Sequence, residues 1–148
     1  MLTVLQRVKQ ASVTIEGQMV GQIEKGALIF LAVAKDDTEE DIEYLVRKIS
    51  ELRMFEDDAG KMNLATGEVG AEFLVVSQFT LLGDCRKGRR PSFDKASSPE
   101  KGEEYYNLFV QRMRDLGFNV ATGSFRAMMD VHLVNDGPVT FILDSKKF

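Results

Sequence analysis

The chain has 148 residues, of which 44% are hydrophobic and 28% charged, and its formal net charge is −4. These values are typical of one globular domain that buries roughly 70% of the surface of its unfolded chain. No apolar run approaches the ~20 residues that a membrane-spanning helix needs, and the first residues lack the layout of a secretion signal. The only cysteine, Cys85, excludes an internal disulfide. We therefore expect a cytoplasmic protein of a single domain, residues 1–148, without a membrane partner.

The first third of the chain predicts three strands and a helix. Residues 2–13 and 19–23 are predicted to form a hairpin around Gly17. The continuous apolar run at 27–34 is typical of a strand buried on both faces. Apolar residues at helical spacing predict an amphipathic helix over 39–52, with Thr38 as its N-cap and Asp41 completing a weak capping box. The residues that carry this spacing are Ile42, Leu45, Val46, Ile49 and Leu52.

The remainder predicts a buried strand, a long loop, a second helix and short strands. A turn over 57–61, an extended piece at 62–64 and a loop over 66–70 precede the buried strand, which is predicted at 72–77. Residues 82–98 lack periodicity and are predicted to form an ordered loop. Ser98 as N-cap and Pro99 at the first position then begin a helix that ends at Gly117. Its predicted buried stripe consists of Tyr105, Leu108, Phe109, Met113 and Leu116.

Three predicted strands complete the chain and decide the fold class. They cover 118–121, 130–134 and 139–143, and we expect the last two to form a terminal strand pair. Strict alternation of strands and helices is missing, which favours an α+β fold over a doubly wound one. The predicted architecture is a mostly antiparallel sheet or barrel-like β core with two main α-helices.

Most common catalytic motifs are absent from the sequence. The only histidine, His132, alternates with apolar neighbours and is expected on the solvent side of a strand. Without a second histidine or a cysteine pair, neither a metal site nor a Ser-His-Asp triad is expected. No Walker A or GxGxxG motif supports a nucleotide cofactor. The sequence thus predicts no metal and no cofactor.

Two polar segments follow apolar runs and are the best candidates for chemistry. The first is Ser77, Gln78, Phe79 and Thr80, whose polar side chains and backbone N–H groups could form an oxyanion hole. The alternative is that Ser77 and Thr80 only satisfy backbone groups at a strand end. The second segment covers 135–140. Its Gly137 and Pro138 could belong to a hairpin turn, or could form a cis peptide that directs two carbonyl groups to one side.

A basic cluster lies in the predicted long loop. Arg86, Lys87, Arg89 and Arg90 place four cations within five residues of an otherwise acidic protein. Such a patch can bind the phosphates of a nucleic acid, or it can be a solvated loop without a partner.

Taken together, these segments resemble the D-aminoacyl-tRNA deacylase family of bacterial type. The resemblance spans essentially the whole chain and is most specific in the Ser-Gln-Phe-Thr and Asn-x-Gly-Pro-Val-Thr motifs. It implies hydrolysis of the ester between a D-amino acid and the 3′-terminal ribose of tRNA, and activity on glycyl-tRNA. It also implies a homodimer with its active sites at the interface.

The resemblance further assigns roles to individual residues. It implies that Gly137 and Pro138 form a cis peptide, inserted into the partner's site, which rejects L-amino acids. Arg7 would brace this motif, and Phe125 and Met129 would line the pocket for the terminal adenosine. The segment 77–80 would form the catalytic wall.

The sequence leaves alternatives open for both the catalytic nucleophile and the class of function. Thr80 could be a nucleophile, but it has no evident base, which favours a water activated by the 2′-hydroxyl of the substrate. Other possibilities are a Thr-dependent esterase or amidase that acts on small free acyl substrates and a non-catalytic RNA-binding or dimeric interaction module.

Overall fold

The computed structural model describes residues 1–146. Within these residues the chain forms strands, two α-helices and two 3₁₀ helices, Thr66–Val69 and Phe79–Leu82. In chain order the main elements are β1 (Leu2–Ile15), β2 (Gln18–Ile23), β3 (Gly26–Ala32), α1 (Glu39–Glu51), β4 (Phe55–Glu56), β5 (Met62–Leu64), β6 (Glu72–Ser77), α2 (Pro99–Asp115), β7 (Val120–Thr122) and β8 (Asp130–Asp144). No helix in this part of the chain is long and apolar enough to cross a membrane.

A mixed sheet forms the centre of the molecule. Strand β1 pairs antiparallel with β2, β3 and β8. Strand β6 pairs in parallel with both β3 and β7. The connection from β3 to β6 contains α1 and the connection from β6 to β7 contains α2, and each returns the chain to the same end of the sheet. The sheet curls until β2 approaches β7, where a side chain at Gly21 would collide with the carbonyl of Thr122. The predicted α+β class with a barrel-like core is confirmed.

The two faces of β6 contribute to two hydrophobic cores. Phe73 and Val75 belong to the larger core, which lies between the sheet and the helices. Leu74 and Val76 belong to the smaller core inside the curled sheet. All four side chains are buried, so β6 is a central strand covered on both faces.

Both helices begin where local signals predict. The backbone N–H of Thr38 donates to the carboxylate of Asp41 at 2.8 Å, which gives α1 its capping interaction. The hydroxyl of Ser98 accepts the N–H of Lys101 at 3.3 Å at the start of α2. The predicted buried stripe on α2 is wrong at its last residue, Leu116. The helix ends at Asp115, so Leu116 lies outside the helical segment that packs on the core. Leu116 is therefore 56% exposed, whereas Tyr106 and Val110 are buried instead.

Two other predictions are wrong. Residues 66–69 form a 3₁₀ helix rather than a loop. The expected terminal strand pair does not form either, since residues 130–134 and 139–143 belong to the single strand β8, and both segments pair with β1. Strand β1 has 14 residues, so it offers one continuous edge to both segments. Shifts of register near Val8 accommodate the polar segment between them as an irregularity of the strand.

Candidate functional site

A pocket of about 750 Å³ lies where β6 ends and α2 begins. Its volume is in the range of small-molecule sites. The chain after β3 and the chain before α2 form part of its wall and are joined by backbone hydrogen bonds. Ser97 N–H donates to the carbonyl of Val33 at 3.0 Å, and Lys35 N–H donates to the carbonyl of Lys95 at 3.0 Å.

The first polar segment lies on one side of this pocket. Ser77, Gln78 and Phe79 line it, whereas Thr80 does not. The N–H of Gln78 donates to the carbonyl of Leu31 at 2.8 Å and is the last link between β6 and the sheet. Phe79 then begins a 3₁₀ helix, and its first N–H groups have no acceptor within that helix. These N–H groups, together with the polar side chains, could bind an oxygen of a ligand.

The exposure of Phe79 and Thr80 distinguishes them from the buried strand before them. Phe79 is 54% exposed and packs edge-on against Phe93, with ring centroids 5.1 Å apart. Thr80 is also exposed, and its carbonyl accepts the N–H of Gly83 at 3.0 Å. Its hydroxyl makes no hydrogen bond to another described residue. No general base of the described chain is therefore hydrogen-bonded to Thr80.

Phe125 and Met129 also line the pocket. Two glycines make room for them. A Cβ atom at Gly102, inside α2, would lie 3.3 Å from the ring of Phe125, and one at Gly123 would lie 2.5 Å from the sulfur of Met129. A glycine inside a helix is an unusual choice, and it is the signal by which the role of Gly102 could have been noticed.

Tyr106 lies outside the pocket lining and contacts both Phe125 and β6. Its ring packs against Phe125 with centroids 6.0 Å apart, and its hydroxyl donates to the carbonyl of Val75 in β6 at 2.7 Å. Burial raises the pKa of Tyr106 to about 12, so the hydroxyl remains a protonated donor at neutral pH. Sequence patterns did not identify Tyr106, because its contact with β6 depends on how the helix packs against the sheet.

The pocket contains little titratable chemistry. Arg126 is the only ionisable side chain among the described residues that line it. His132 is exposed beside a smaller depression between β1, β2 and β8, and Cys85 is exposed as well. Between residues 1 and 146 no three potential metal-ligating side chains form a group. The chemistry available in the pocket is therefore polar positioning by side chains and backbone.

The second polar segment lies elsewhere, on β8. The peptide bond between Gly137 and Pro138 is cis, and both residues are exposed. Asn135 fixes the segment because its side-chain amide donates to the carbonyls of Arg7 at 2.9 Å and Val139 at 3.0 Å. The segment thus presents a rigidly held Gly-Pro unit to solvent.

Arg7 lies beneath this unit and is only 5% exposed. Its guanidinium donates to the carbonyl of Met54 at 2.8 Å and to that of Asp136 at 3.3 Å. It also pairs with the carboxylate of Asp136 at 3.4 Å. Buried polar groups need such partners, and the contacts lock Arg7 against the motif.

The two polar segments do not meet within one copy of the chain. Neither Arg7 nor Gly137 nor Pro138 is among the residues that line the pocket. The structure therefore brings together Ser77, Gln78 and Phe79 with Phe125 and Met129, and separately Arg7 with the Gly-Pro unit.

The basic loop divides into one paired and three exposed cations. Two bonds link the guanidinium of Arg86 to the carboxylate of Asp84, at 2.6 and 2.9 Å. They hold the pKa of Asp84 well below its usual range. Lys87, Arg89 and Arg90 are exposed and make no ion pair with another described residue. The surface available to anions is therefore smaller than the sequence implied.

Comparison with known proteins shows which family the chain belongs to. The family model described as D-Tyr-tRNA(Tyr) deacylase matches residues 4–144. The chain belongs to the D-aminoacyl-tRNA deacylase family. It is therefore an enzyme, a hydrolase of that family, and the resemblance noted in its sequence is confirmed.

Relatives and solved structures agree with this family assignment. Proteins named D-aminoacyl-tRNA deacylase from Thermotoga petrophila and Desulfatibacillum aliphaticivorans are 57% and 59% identical to the chain. They cover 99% of it, and it covers 99% and 100% of them. A solved structure titled c-Myc DNA Unwinding Element Binding Protein superposes with a TM-score of 0.91 at 40% identity, covering 97% of this chain and 98% of that one. A probable eukaryotic D-amino acid tRNA deacylase gives a TM-score of 0.83 at 18% identity over 96% and 97% of the two chains, which shows the shared fold.

Proposed function

We propose that this deacylase hydrolyses, in the cytoplasm, the ester that joins a D-amino acid to the 3′-terminal ribose of tRNA. The proposal rests mainly on the pocket, whose lining combines a polar strand end with Phe125 and Met129 and, among the described residues, includes no carboxylate, histidine or cysteine. Such a lining suits a substrate that is positioned by the enzyme and supplies part of the chemistry itself. Family membership supports the same substrate class.

The terminal adenosine would occupy the side of the pocket that Phe125 and Met129 line. Both side chains offer apolar surface on which a nucleobase can pack. The ester would then lie beside Ser77, Gln78 and Phe79. The unpaired N–H groups at the start of the 3₁₀ helix Phe79–Leu82 would polarise its carbonyl and stabilise the negative charge of the transition state.

Selection against L-amino acids would come from the Gly-Pro unit of a second copy. Gly137 and Pro138 are exposed, lie outside the pocket of their own chain and are held firmly through Arg7 and Asn135. A homodimer in which this unit enters the partner's pocket would complete the site. Its main-chain carbonyls would hold the amino group, and its backbone would exclude an L side chain sterically. Glycine has no side chain to exclude, so glycyl-tRNA would also be hydrolysed.

A water molecule activated by the 2′-hydroxyl of the substrate is the proposed nucleophile. The hydroxyl of Thr80 makes no hydrogen bond to a described residue that could act as its base, and Thr80 does not line the pocket. A serine or threonine nucleophile needs an adjacent base to accept its proton. The neighbouring ribose hydroxyl can instead hydrogen-bond the attacking water and relay its proton to the departing 3′-oxygen, since it lies next to the ester in every aminoacyl-tRNA.

Hydrolysis of matched D-tyrosyl-tRNA and L-tyrosyl-tRNA tests the function. We expect rapid release of D-tyrosine while the L ester stays intact over the same period. Equal cleavage of both would contradict the chiral selection, and cleavage of neither would contradict the enzymatic function on this substrate. Sedimentation of the same preparation should give the mass of a dimer.

Two matched changes test the mechanism. Thr80→Ala should reduce kcat only partially, whereas a nucleophilic Thr80 would make the loss nearly complete. Replacing the terminal 2′-hydroxyl of the substrate by hydrogen should slow the wild-type enzyme by at least ~100-fold, within the range that general acid–base groups contribute. Full activity on the deoxy substrate would exclude substrate assistance.

The exposed cations of the loop are proposed to contact tRNA phosphates. Arg89→Ala together with Arg90→Ala should weaken tRNA binding and reduce the slope of log K against log salt by about 1 to 2. Arg47→Ala with Lys48→Ala removes the same charge from exposed positions of α1 and serves as the control. If both double variants weaken binding equally, the loop acts only through the net charge of the protein and does not contact the phosphates directly.

A further inference from the structure

One turn at the rim of the pocket has an unusual composition. Met128 is 91% exposed, more than any other large apolar side chain that the structure describes, the next being Ile142 at 66%. Methionine is normally buried in globular proteins. A side chain held this far into solvent at the edge of a ligand pocket therefore suggests a contact with the ligand.

Arg126, two residues earlier, is also unusual. Its φ is +66°, a backbone conformation that few residues other than glycine adopt. Its guanidinium makes no hydrogen bond or ion pair with a described residue, and it is the only ionisable group in the described lining of the pocket. Backbone outliers of this kind concentrate at functional sites. The turn that holds Arg126 is closed by a hydrogen bond from Ala127 N–H to the carbonyl of Ser124 at 3.2 Å.

The side chains of this turn divide between the interior of the pocket and its rim. Phe125 and Met129 are partly buried and pack against the hydrophobic cores. Arg126 and Met128 are exposed, although they line the same pocket. One turn therefore presents an apolar pair inside and a pair consisting of a cation and a thioether outside.

We propose that Arg126 and Met128 form a second nucleotide subsite, which binds the residue preceding the terminal adenosine of the tRNA. This inference rests on the proposed function, because it presumes that adenosine occupies the pocket. The phosphodiester between the last two nucleotides would then leave the pocket at its rim, beside Arg126, which is the only cation among the described residues that line the pocket. Guanidinium groups bind phosphate oxygens in a bidentate manner.

Met128 supplies the contact to the base of that nucleotide. An unbranched thioether is polarisable and adapts to an aromatic face, so it can pack against an unpaired base without selecting its sequence. The 3′ end of tRNA is single-stranded, and its bases are free to pack on protein side chains. The subsite would therefore recognise a nucleotide in addition to the adenosine and the amino acid.

Substrates of increasing length test the subsite. They are D-tyrosyl-adenosine, the dinucleotide D-tyrosyl-cytidylyl-adenosine and D-tyrosyl-tRNA. The wild-type enzyme should cleave the dinucleotide with a kcat/KM about tenfold above that of the mononucleoside, because one base contact and one phosphate contact are added. Equal values for the two would overturn the proposal.

Variants assign this gain to the two side chains. Met128→Ala and Arg126→Gly should each lower kcat/KM on the dinucleotide much more than on D-tyrosyl-adenosine, and so remove most of the gain. Arg126→Lys keeps the charge and should retain part of the gain. Met62→Ala, which truncates a 48% exposed methionine on β5, is the matched control and should change neither value.

The outcomes separate the subsite from the proposed function. Variants that lose activity equally on the mononucleoside and the dinucleotide would overturn the subsite while leaving the deacylase function intact. If the wild-type enzyme cleaves D-tyrosyl-tRNA and D-tyrosyl-adenosine but the variants match it on every substrate, the subsite is likewise wrong. A wild-type enzyme inactive on all three substrates would refute the proposed function and the subsite together.

Discussion

The two polar segments of this deacylase differ in how their hydrogen-bonding groups are used. In the segment beginning at Ser77, three residues line the pocket, and the N–H groups that begin the 3₁₀ helix have no acceptor within that helix. In the segment beginning at Asn135, the side chains of Asn135 and Asp136 are bonded to Arg7 or to the segment's own backbone, whereas the Gly-Pro unit is exposed. Under the proposed function the first segment is the receptor and the second is the projection that enters it. Each has what the other lacks, which supports the proposed site completed by a second copy.

The largest effect is expected from Gly137→Ala. Gly137 has a φ of +123°, and a Cβ atom there would lie 2.7 Å from a methyl of Val139 and 3.2 Å from the guanidinium of Arg7. Strain and crowding together should cost about 3 kcal/mol in the free energy of unfolding. The displaced projection should lower kcat/KM on D-tyrosyl-tRNA by ~100-fold or more. Urea denaturation and steady-state kinetics measure the two quantities.

Gly60→Ala is the control for this substitution. Gly60 has a similarly positive φ of +77°, but a Cβ atom there would meet nothing within 4 Å. It should cost about 1 kcal/mol from backbone strain alone and leave catalysis unchanged. If both variants behave alike, the close contacts of Gly137 with Val139 and Arg7 are not what matters.

Arg7→Lys tests the support of the projection rather than its backbone. A lysine keeps the charge but cannot donate to Met54 and Asp136 from the two arms of a planar fork. We expect a loss of about 2 kcal/mol in the free energy of unfolding, since the buried carbonyl of Met54 loses its partner. Activity should fall less than in Gly137→Ala, because the Gly-Pro backbone itself is unaltered. Activity loss without any loss of stability would instead indicate a direct contact of Arg7 with substrate.

The same comparison shows what could be predicted from the sequence. The starts of the helices at Thr38 and Ser98 and the buried strand β6 follow from local patterns, and each is confirmed. The course of β8 was missed because Asp136-Gly137 has the composition of a hairpin turn. The long edge of β1 overrides that local preference, and distant pairing of this kind leaves no local signal.

For the candidate site, the sequence indicated the two motifs but not how they are supported. The residues that support Phe125 and Met129, namely Gly102, Gly123 and Tyr106, depend on the packing between α2, β6 and the turn before β8. Whether a tyrosine on a helix faces the core or the solvent depends on that packing. The helical spacing alone therefore predicted Tyr105, and not Tyr106, as the buried residue. The ion pair that removes Arg86 from the basic patch depends likewise on the folded loop.

The smallest effect is expected from Tyr106→Phe, which weakens the receptor side of the comparison. Losing the hydrogen bond to the carbonyl of Val75 should cost about 1 kcal/mol at neutral pH and change kcat only slightly. The pKa of Tyr106 is raised from 10.0 to about 12, so its stabilisation is full below pH 10 and is lost as the pH rises towards 12. The stability of the wild type should therefore decline more steeply than that of the variant over this interval, as followed by denaturation at several pH values. Parallel curves would mean that the hydroxyl is not buried against β6. A large loss of kcat at neutral pH would mean that the position of Ser77 depends on this one hydrogen bond. The segment beginning at Ser77 would then be held less rigidly than the segment that contains Gly137 and Pro138.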